Sequence, residues 1–259
     1  MRNIGRNLRA FRNLLFRAAF SGRGCTCTNC GKTYRRFLAQ GAKGPLFEKH
    51  RISGMGHKKN VRCPNCKANH RVRLLQLFLE HRTDIDERPV RLLHISPHRH
   101  IARVLIQKDN IDYVSGALFP DRLPHLPTVR VDVTDIDFGD EEFDMVICNH
   151  VLEHVEEDEQ AMREIFRVLR PGGFSVLQVP LALDLERTLE DPRVVDPADR
   201  KRAYGQKDHV RLYGLDYFDR LEAAGFRVER DNPFANKWLP DLDQYRLDEV
   251  EDVFIAHKR

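Results

Sequence analysis

FDMVICNHVLEHVEEDEQAMREIFRVLRPGGFSVLQVP, Phe143 to Pro180, decides the fold. It opens with a short apolar run, FDMVIC, of the length of a buried strand, ending at Asn149 and His150. A helical pattern follows, with Ala161, Ile165, Val168 and Leu169 on one face and Glu157, Arg163, Glu164 and Arg167 elsewhere. Arg170-Pro171-Gly172-Gly173 stops it, because proline and glycine do not continue a helix. Phe174 to Val179 reads as a second buried strand. Strand, helix and parallel strand make one βαβ unit, and sheets built from such units bind ligands at the carboxyl ends of their strands. That rule places Asn149, His150 and Gln178 beside any pocket.

Working outward, the same alternation extends in both directions. Val90 to Ser96, Asp112 to Ala117 and Thr128 to Val133 read as strands before the opening stretch, with a helix from Ile101 towards Lys108. After it come a helix from Leu215 to Ala224 ended by Gly225, a strand from Phe226 to Arg230 and a last strand from Asp252 to His257. The expected fold is a three-layer α/β sandwich spanning residues 84–259. Residues 181–213 interrupt the alternation with a polar run containing Tyr204, Gln206, Asp208, His209, Arg211 and Tyr213, and insertions at this end of a sheet usually build the acceptor site.

Charge divides the chain. Residues 1–83 hold 19 Lys+Arg against 2 acids, and the remaining 176 hold 24 against 37. A basic front implies an anionic partner or attraction to the acidic back. Residues 1–22 contain a basic amphipathic pattern: Ile4, Leu8, Phe11 and Leu15 recur at helical spacing among five arginines. Such a helix either lies on an anionic membrane surface or other polyanion, or packs onto the domain behind it. No apolar run has the length of a membrane span. A cytoplasmic chain, at most peripheral to a membrane, is expected.

Residues 23–83 carry the other strong signal. Cys27-Thr-Asn-Cys30 and Cys63-Pro-Asn-Cys66 are paired C-x-x-C knuckles, and four thiolates offered this way suit one tetrahedral, structural Zn²⁺. Cys25 stands as the alternative to Cys27. His70 to Arg82, rich in leucine on more than one face, reads as the helix joining this ribbon to the larger domain.

FDMVICNHVLEHV followed by REIFRVLRPGGF resembles the fourth strand, helix and fifth strand of class I S-adenosylmethionine-dependent methyltransferases of the type 11 group. VRLLHISP, VDVTDIDF, the paired knuckles and YGQKDHVRLYGLDYFDRLEAAGFRV extend the resemblance over most of the chain, to a bacterial branch found beside glycosyltransferases in surface-polysaccharide gene clusters. It implies a Rossmann-like, seven-stranded, mostly parallel sheet whose final strand inserts antiparallel beside the sixth. It also implies S-adenosylmethionine held by the turn with Ser96 and His98, by Ala117 at the second strand's end, by Asp132 and Val133 around the adenine, and by Asn149 and His150. His209 falls where relatives have a histidine facing the substrate, a position from which imidazole can take a hydroxyl proton.

Two of these positions depart from the pattern. The turn Ser96-Pro97-His98-Arg99-His100 has no glycine, and Ala117 stands where an acid normally grips the ribose. The resemblance makes O-methylation of a sugar, glycan or other small hydroxyl acceptor the leading expectation, while the two departures favour the next reading. A catalytically silent scaffold docking on an anionic partner is the second reading, and a nucleic-acid methyltransferase the third.

Overall fold

The computed structural model describes residues 19–259, so the helix expected over 1–22 lies, but for its last four residues, outside the described residues. Seven strands form one sheet: β1 Val90–Ile95, β2 Ile111–Ala117, β3 Thr128–Arg130, β4 Phe143–Cys148, β5 Leu169–Val176, β6 Arg227–Asp231 and β7 Val253–His257. Their order is β3-β2-β1-β4-β5-β7-β6, with β7 antiparallel to both neighbours and the rest of the sheet parallel. This is the expected Rossmann-like order. The chain reverses direction of travel across the sheet between β1 and β4, and there the strand ends open into a crevice.

Helices α1 His70–Arg82, α2 Arg99–Leu105, α3 Asp158–Val168, α4 Pro197–Tyr204 and α5 Tyr217–Ala223 complete the main framework. In α3 the stripe Ala161, Met162, Ile165 and Val168 is fully buried, so its amphipathic pattern faces the sheet as read. β5 differs from the sequence reading. It pairs with β4 at Leu169, bulges through 170–173, and resumes at Phe174–Val176. The bulge needs its glycines: Gly172 has φ +82°, and a Cβ on Gly173 would lie 2.8 Å from the Asp144 carbonyl. β3 is shorter than expected, because Asp132 turns the chain there. No helix among the described residues is long and apolar enough to cross a membrane.

The boundary near residue 83 does not divide the core. One hydrophobic cluster joins Phe20 of the 1–22 segment and Tyr34 and Phe37 of the ribbon, through Leu75 and Phe78 of α1, to Leu92, Met145 and Ile255 of the sheet. That explains a helix with leucines all round: α1 is buried between two bodies. Its start is fixed by Asn69, whose Oδ1 accepts the Val72 N–H at 3.1 Å. Ion pairs Lys58–Asp248 (2.5 Å) and Arg82–Asp231 (2.9 Å) cross the same junction, so part of the basic front does meet the acidic back. Two short strands extend the tie, Leu181–Ala182 of the 181–213 insertion pairing antiparallel with Ile52–Ser53.

Arg73 locks this junction. Its side chain is fully buried and donates to the carbonyls of Tyr245 (2.6 Å), Val61 (2.8 Å), Ala68 (3.2 Å) and Arg246 (3.2 Å), with the guanidinium 4.5 Å from the Phe37 ring. Burial alone pulls its pKa down, yet a guanidinium keeps its charge. Arg73→Met keeps the apolar stem and removes the donor to four carbonyls, of which that of Ala68 keeps a backbone partner, the Cys63 N–H at 2.8 Å, so we expect about 3 kcal/mol of destabilisation and a Tm roughly 6–12 °C lower. A thermal melt shifting by less than about 2 °C would show that water replaces the guanidinium without loss.

Candidate functional site

A groove runs over the carboxyl ends of β1, β2, β3 and β4 in two halves. One, of about 610 Å³, is walled by β1, the turn after it, β4 and the ribbon; the other, of about 630 Å³, lies over the ends of β2 and β3. Ser96, Leu123, His150 and His154 line both, so the halves meet there.

The structure places every residue assigned to the cofactor on this groove. Ser96 has φ +50°, the left-handed conformation that glycine usually supplies, and its N–H donates to the Gly116 carbonyl at 2.7 Å. A serine thus takes the left-handed conformation in a turn that has no glycine. His98 starts α2 and stacks on His100 with ring centroids 5.2 Å apart. Burial, then the neighbouring charges of His100 and Arg71, pull its pKa down to about 4, so it is a neutral hydrogen-bonding ring. His94, unremarked in the sequence, also reaches the cavity; burial lowers its pKa to about 3, and Tyr113 lies 3.0 Å from its Nδ1.

Asn149 and His150 are held by the β4–β5 junction. Asn149 Oδ1 accepts the Gln178 N–H at 2.9 Å, and the His150 N–H donates to the Gln178 carbonyl at 2.7 Å. Gln178 itself clamps β7, its amide bonding Asp252 and Phe254, so its role is to fix the strand ends. His150 has φ +58° and stands between Arg71 Nη1, 2.8 Å from its Nε2, and Glu153 Oε1, 3.4 Å from its Nδ1. Burial and then the Arg71 charge lower its pKa, which keeps the imidazole neutral. Arg71 was invisible as a site residue in sequence; its only signal was a charge near the start of a leucine-rich helix.

Asp132 and Val133 wall the second half, and Asp132 Oδ1 accepts from the Thr134 N–H (3.1 Å) and Oγ1–H (2.7 Å). The carboxylate is thus both a turn-former and a groove residue. Ala117, buried at the end of β2, lines the same half with no polar side chain.

His209 takes a different place from the one expected. Its ring is fully buried behind His154, edge to face at 4.7 Å, and does not wall the groove. The reason is a strap formed by the end of the insertion: the Val210 N–H donates to the Glu153 carbonyl at 2.9 Å, and Arg211 donates to the Leu152, Val155 and Glu156 carbonyls. Glu153 and His154 stand on the groove in its stead.

In the ribbon, Cys27, Cys30, Cys63 and Cys66 converge, with Sγ atoms 3.6 Å apart for Cys27–Cys66 and 3.8 Å for Cys30–Cys63. All are free thiols. A tetrahedron with metal–sulfur bonds of about 2.3 Å has edges of about 3.8 Å, so these two edges match it and all four sulfurs, within 4.8 Å of one another, suit one Zn²⁺-sized ion. Cys25 lies outside it, against the Arg35 carbonyl, Asn60 and Arg246.

Residues 90–177 match the methyltransferase domain family. A Mycolicibacterium smegmatis protein described as "Probable S-adenosylmethionine-dependent methyltransferase" is 28% identical over 145 residues, 55% of this chain and 51% of that protein. A Mycobacterium tuberculosis demethylmenaquinone methyltransferase is 39% identical over 62 residues, 24% of this chain and 26% of that protein. The chain thus spans about half or less of the length of these relatives. A solved S-adenosylmethionine-dependent methyltransferase from Archaeoglobus fulgidus is 15% identical and covers 72% of this chain and 94% of its own, with a TM-score of 0.47. The matched residues 90–177 run from β1 to the end of β5, the part of the sheet over which the groove lies. Toward S-adenosylmethionine the groove offers the left-handed Ser96 turn and the Asp132 carboxylate, while Ala117 offers no polar side chain.

Proposed function

We propose that this chain transfers the methyl group of S-adenosylmethionine to a hydroxyl of a sugar or glycan acceptor. The observation that carries the reading is the continuous two-part groove at the strand ends of the matched stretch. The cofactor supplies an electrophilic methyl on a sulfonium; the protein aligns acceptor, methyl and sulfur and removes a proton. Asp132 and Val133 would hold the adenine, and Ser96, His98, Asn149 and His150 the methionine side. The acceptor would enter from the ribbon side, where Arg62, Lys67 and Arg71 line the cavity beside Gln206 of the insertion. That positive wall favours acceptors bearing carboxylate or phosphate. The acceptor hydroxyl would stand on the side of the groove where Glu153 and His154 lie, with His209 behind them. The four-cysteine site would hold a structural zinc, which builds this wall.

Incubating the purified chain with S-adenosylmethionine and a panel of neutral, uronate-bearing and phosphorylated glycans tests this. We expect the mass of one added methyl group on a charged glycan, with a smaller yield on its neutral counterpart. Ala117 favours a second reading, a methyltransferase-like binding protein without activity. Calorimetry showing no heat with cofactor up to millimolar concentration would replace the first reading by that one.

A further inference from the structure

Glu153 and His154 stand more than fifty positions before His209 in the sequence, yet each of the three offers one ligand atom within 4.8 Å of the others. Glu153 is 1% exposed and its Oε2 has no hydrogen-bond partner; His209 is 0% exposed and its Nε2 has none. Leaving two such atoms buried and unpaired costs free energy unless something binds them. The surroundings set their lone pairs. His209 Nδ1 lies 3.1 Å from the Tyr204 carbonyl and His154 Nδ1 lies 3.1 Å from the Asp208 carbonyl. A carbonyl only accepts, so each Nδ1 carries the proton and each Nε2 presents a lone pair, the arrangement by which backbone carbonyls orient metal-binding histidines. Glu153 Oε1 meets His150, leaving Oε2 for the cluster.

We propose that Glu153, His154 and His209 bind a divalent transition-metal ion where the two halves of the groove meet. Two imidazoles and a carboxylate suit Zn²⁺, Mn²⁺, Fe²⁺ or Co²⁺ rather than a thiolate-seeking or all-oxygen ion. Three protein ligands leave coordination positions open. Glu153 and His154 wall the groove, so those positions face it, where an acceptor hydroxyl can bind the ion and become more acidic. Bonds of about 2.1 Å bring the ligand atoms to about 3 Å from one another. His154, about one-third exposed, is the ligand with room to turn inward. In the other carboxylate–imidazole group, His70, Asp248 and Glu251, a lysine already sits on one carboxylate: Lys58 Nζ lies 2.5 Å from Asp248 Oδ2, and His70 Nε2 lies 3.0 Å from Glu251 Oε2.

This site goes beyond the methyl-transfer reading and is tested without the cofactor. The full chain, its cysteine site filled with zinc, is titrated with Mn²⁺ followed by electron paramagnetic resonance, and with Co²⁺ followed by visible absorption. We expect one equivalent beyond the cysteine-bound ion, with cobalt bands lacking the intense thiolate charge transfer. His154→Ala, at a partly exposed position, and the isosteric Glu153→Gln should each weaken binding at least tenfold while the cysteine-bound zinc is retained. No additional equivalent in the unaltered chain, or one that persists at full affinity in both variants, would overturn the site.

Discussion

Cys63→Ser is expected to abolish the tetrathiolate metal and to lower Tm by more than about 10 °C, because structural zinc contributes on the order of 10 kcal/mol in small metal-folded modules. The ribbon has little else to hold it. Its strands are two to five residues long, and Cys27 and Cys63 themselves fill its core at 0% exposure. The effect should reach the sheet, since the ribbon and β1, β4 and β7 share one hydrophobic cluster. It should also open the groove, whose positive wall comes from residues 62–71. Cys25→Ser is the control: that thiol touches Arg35, Asn60 and Arg246 and stands apart from the four, so metal content should not change. Metal analysis after gel filtration reads the first effect and a thermal melt the second. Full metal content in Cys63→Ser, or its loss in Cys25→Ser, would show that the ligand set is wrong.

The middle of the sheet was legible because β1 and β4 are buried on both faces and so read as continuous apolar runs. β4 and α1 have the bounds the pattern implied, Phe143–Cys148 and His70–Arg82. What the pattern did not show were effects of single hydrogen bonds and backbone angles. Asp132 ends β3 through its bonds to Thr134, and Gly172 and Gly173 place a bulge inside β5. Of the site, the strand-end residues Asn149 and His150 were readable from topology alone. Arg71 was not, since it arrives from α1, 79 positions earlier in sequence than the His150 it contacts. The depth of His209 was hidden for a related reason: it depends on the strap of residues 208–211 pairing with the turn after β4, which has no local signature.

Ala117→Asp should tighten S-adenosylmethionine binding by one to two powers of ten, because a carboxylate accepting hydrogen bonds from the ribose contributes roughly 1.5–3 kcal/mol. The position is suited to it. Ala117 closes β2, its carbonyl accepts the Val131 N–H at 3.0 Å, and its side chain faces the 630 Å³ half of the groove that Asp132 also lines. The same substitution has a cost in the free protein. Ala117 is 7% exposed, so a new carboxylate there is largely desolvated, and Arg122 on the same wall offers only partial compensation. The unliganded variant should therefore melt lower than the parent, and saturating cofactor should raise its Tm by more than it raises the parent's. Asp132→Ala should act in the opposite direction on affinity, but it also removes two bonds to Thr134. Asp132→Asn separates the effects, since its carbonyl oxygen can keep the turn while the charge is lost. If the carboxylate holds the adenine, Asp132→Asn should lose affinity while keeping its unliganded Tm, and Asp132→Ala should lose both. Calorimetry and melts of the three variants read the outcome. An Ala117→Asp chain that binds no more tightly than the parent would place the ribose elsewhere and leave Ala117 as a packing residue.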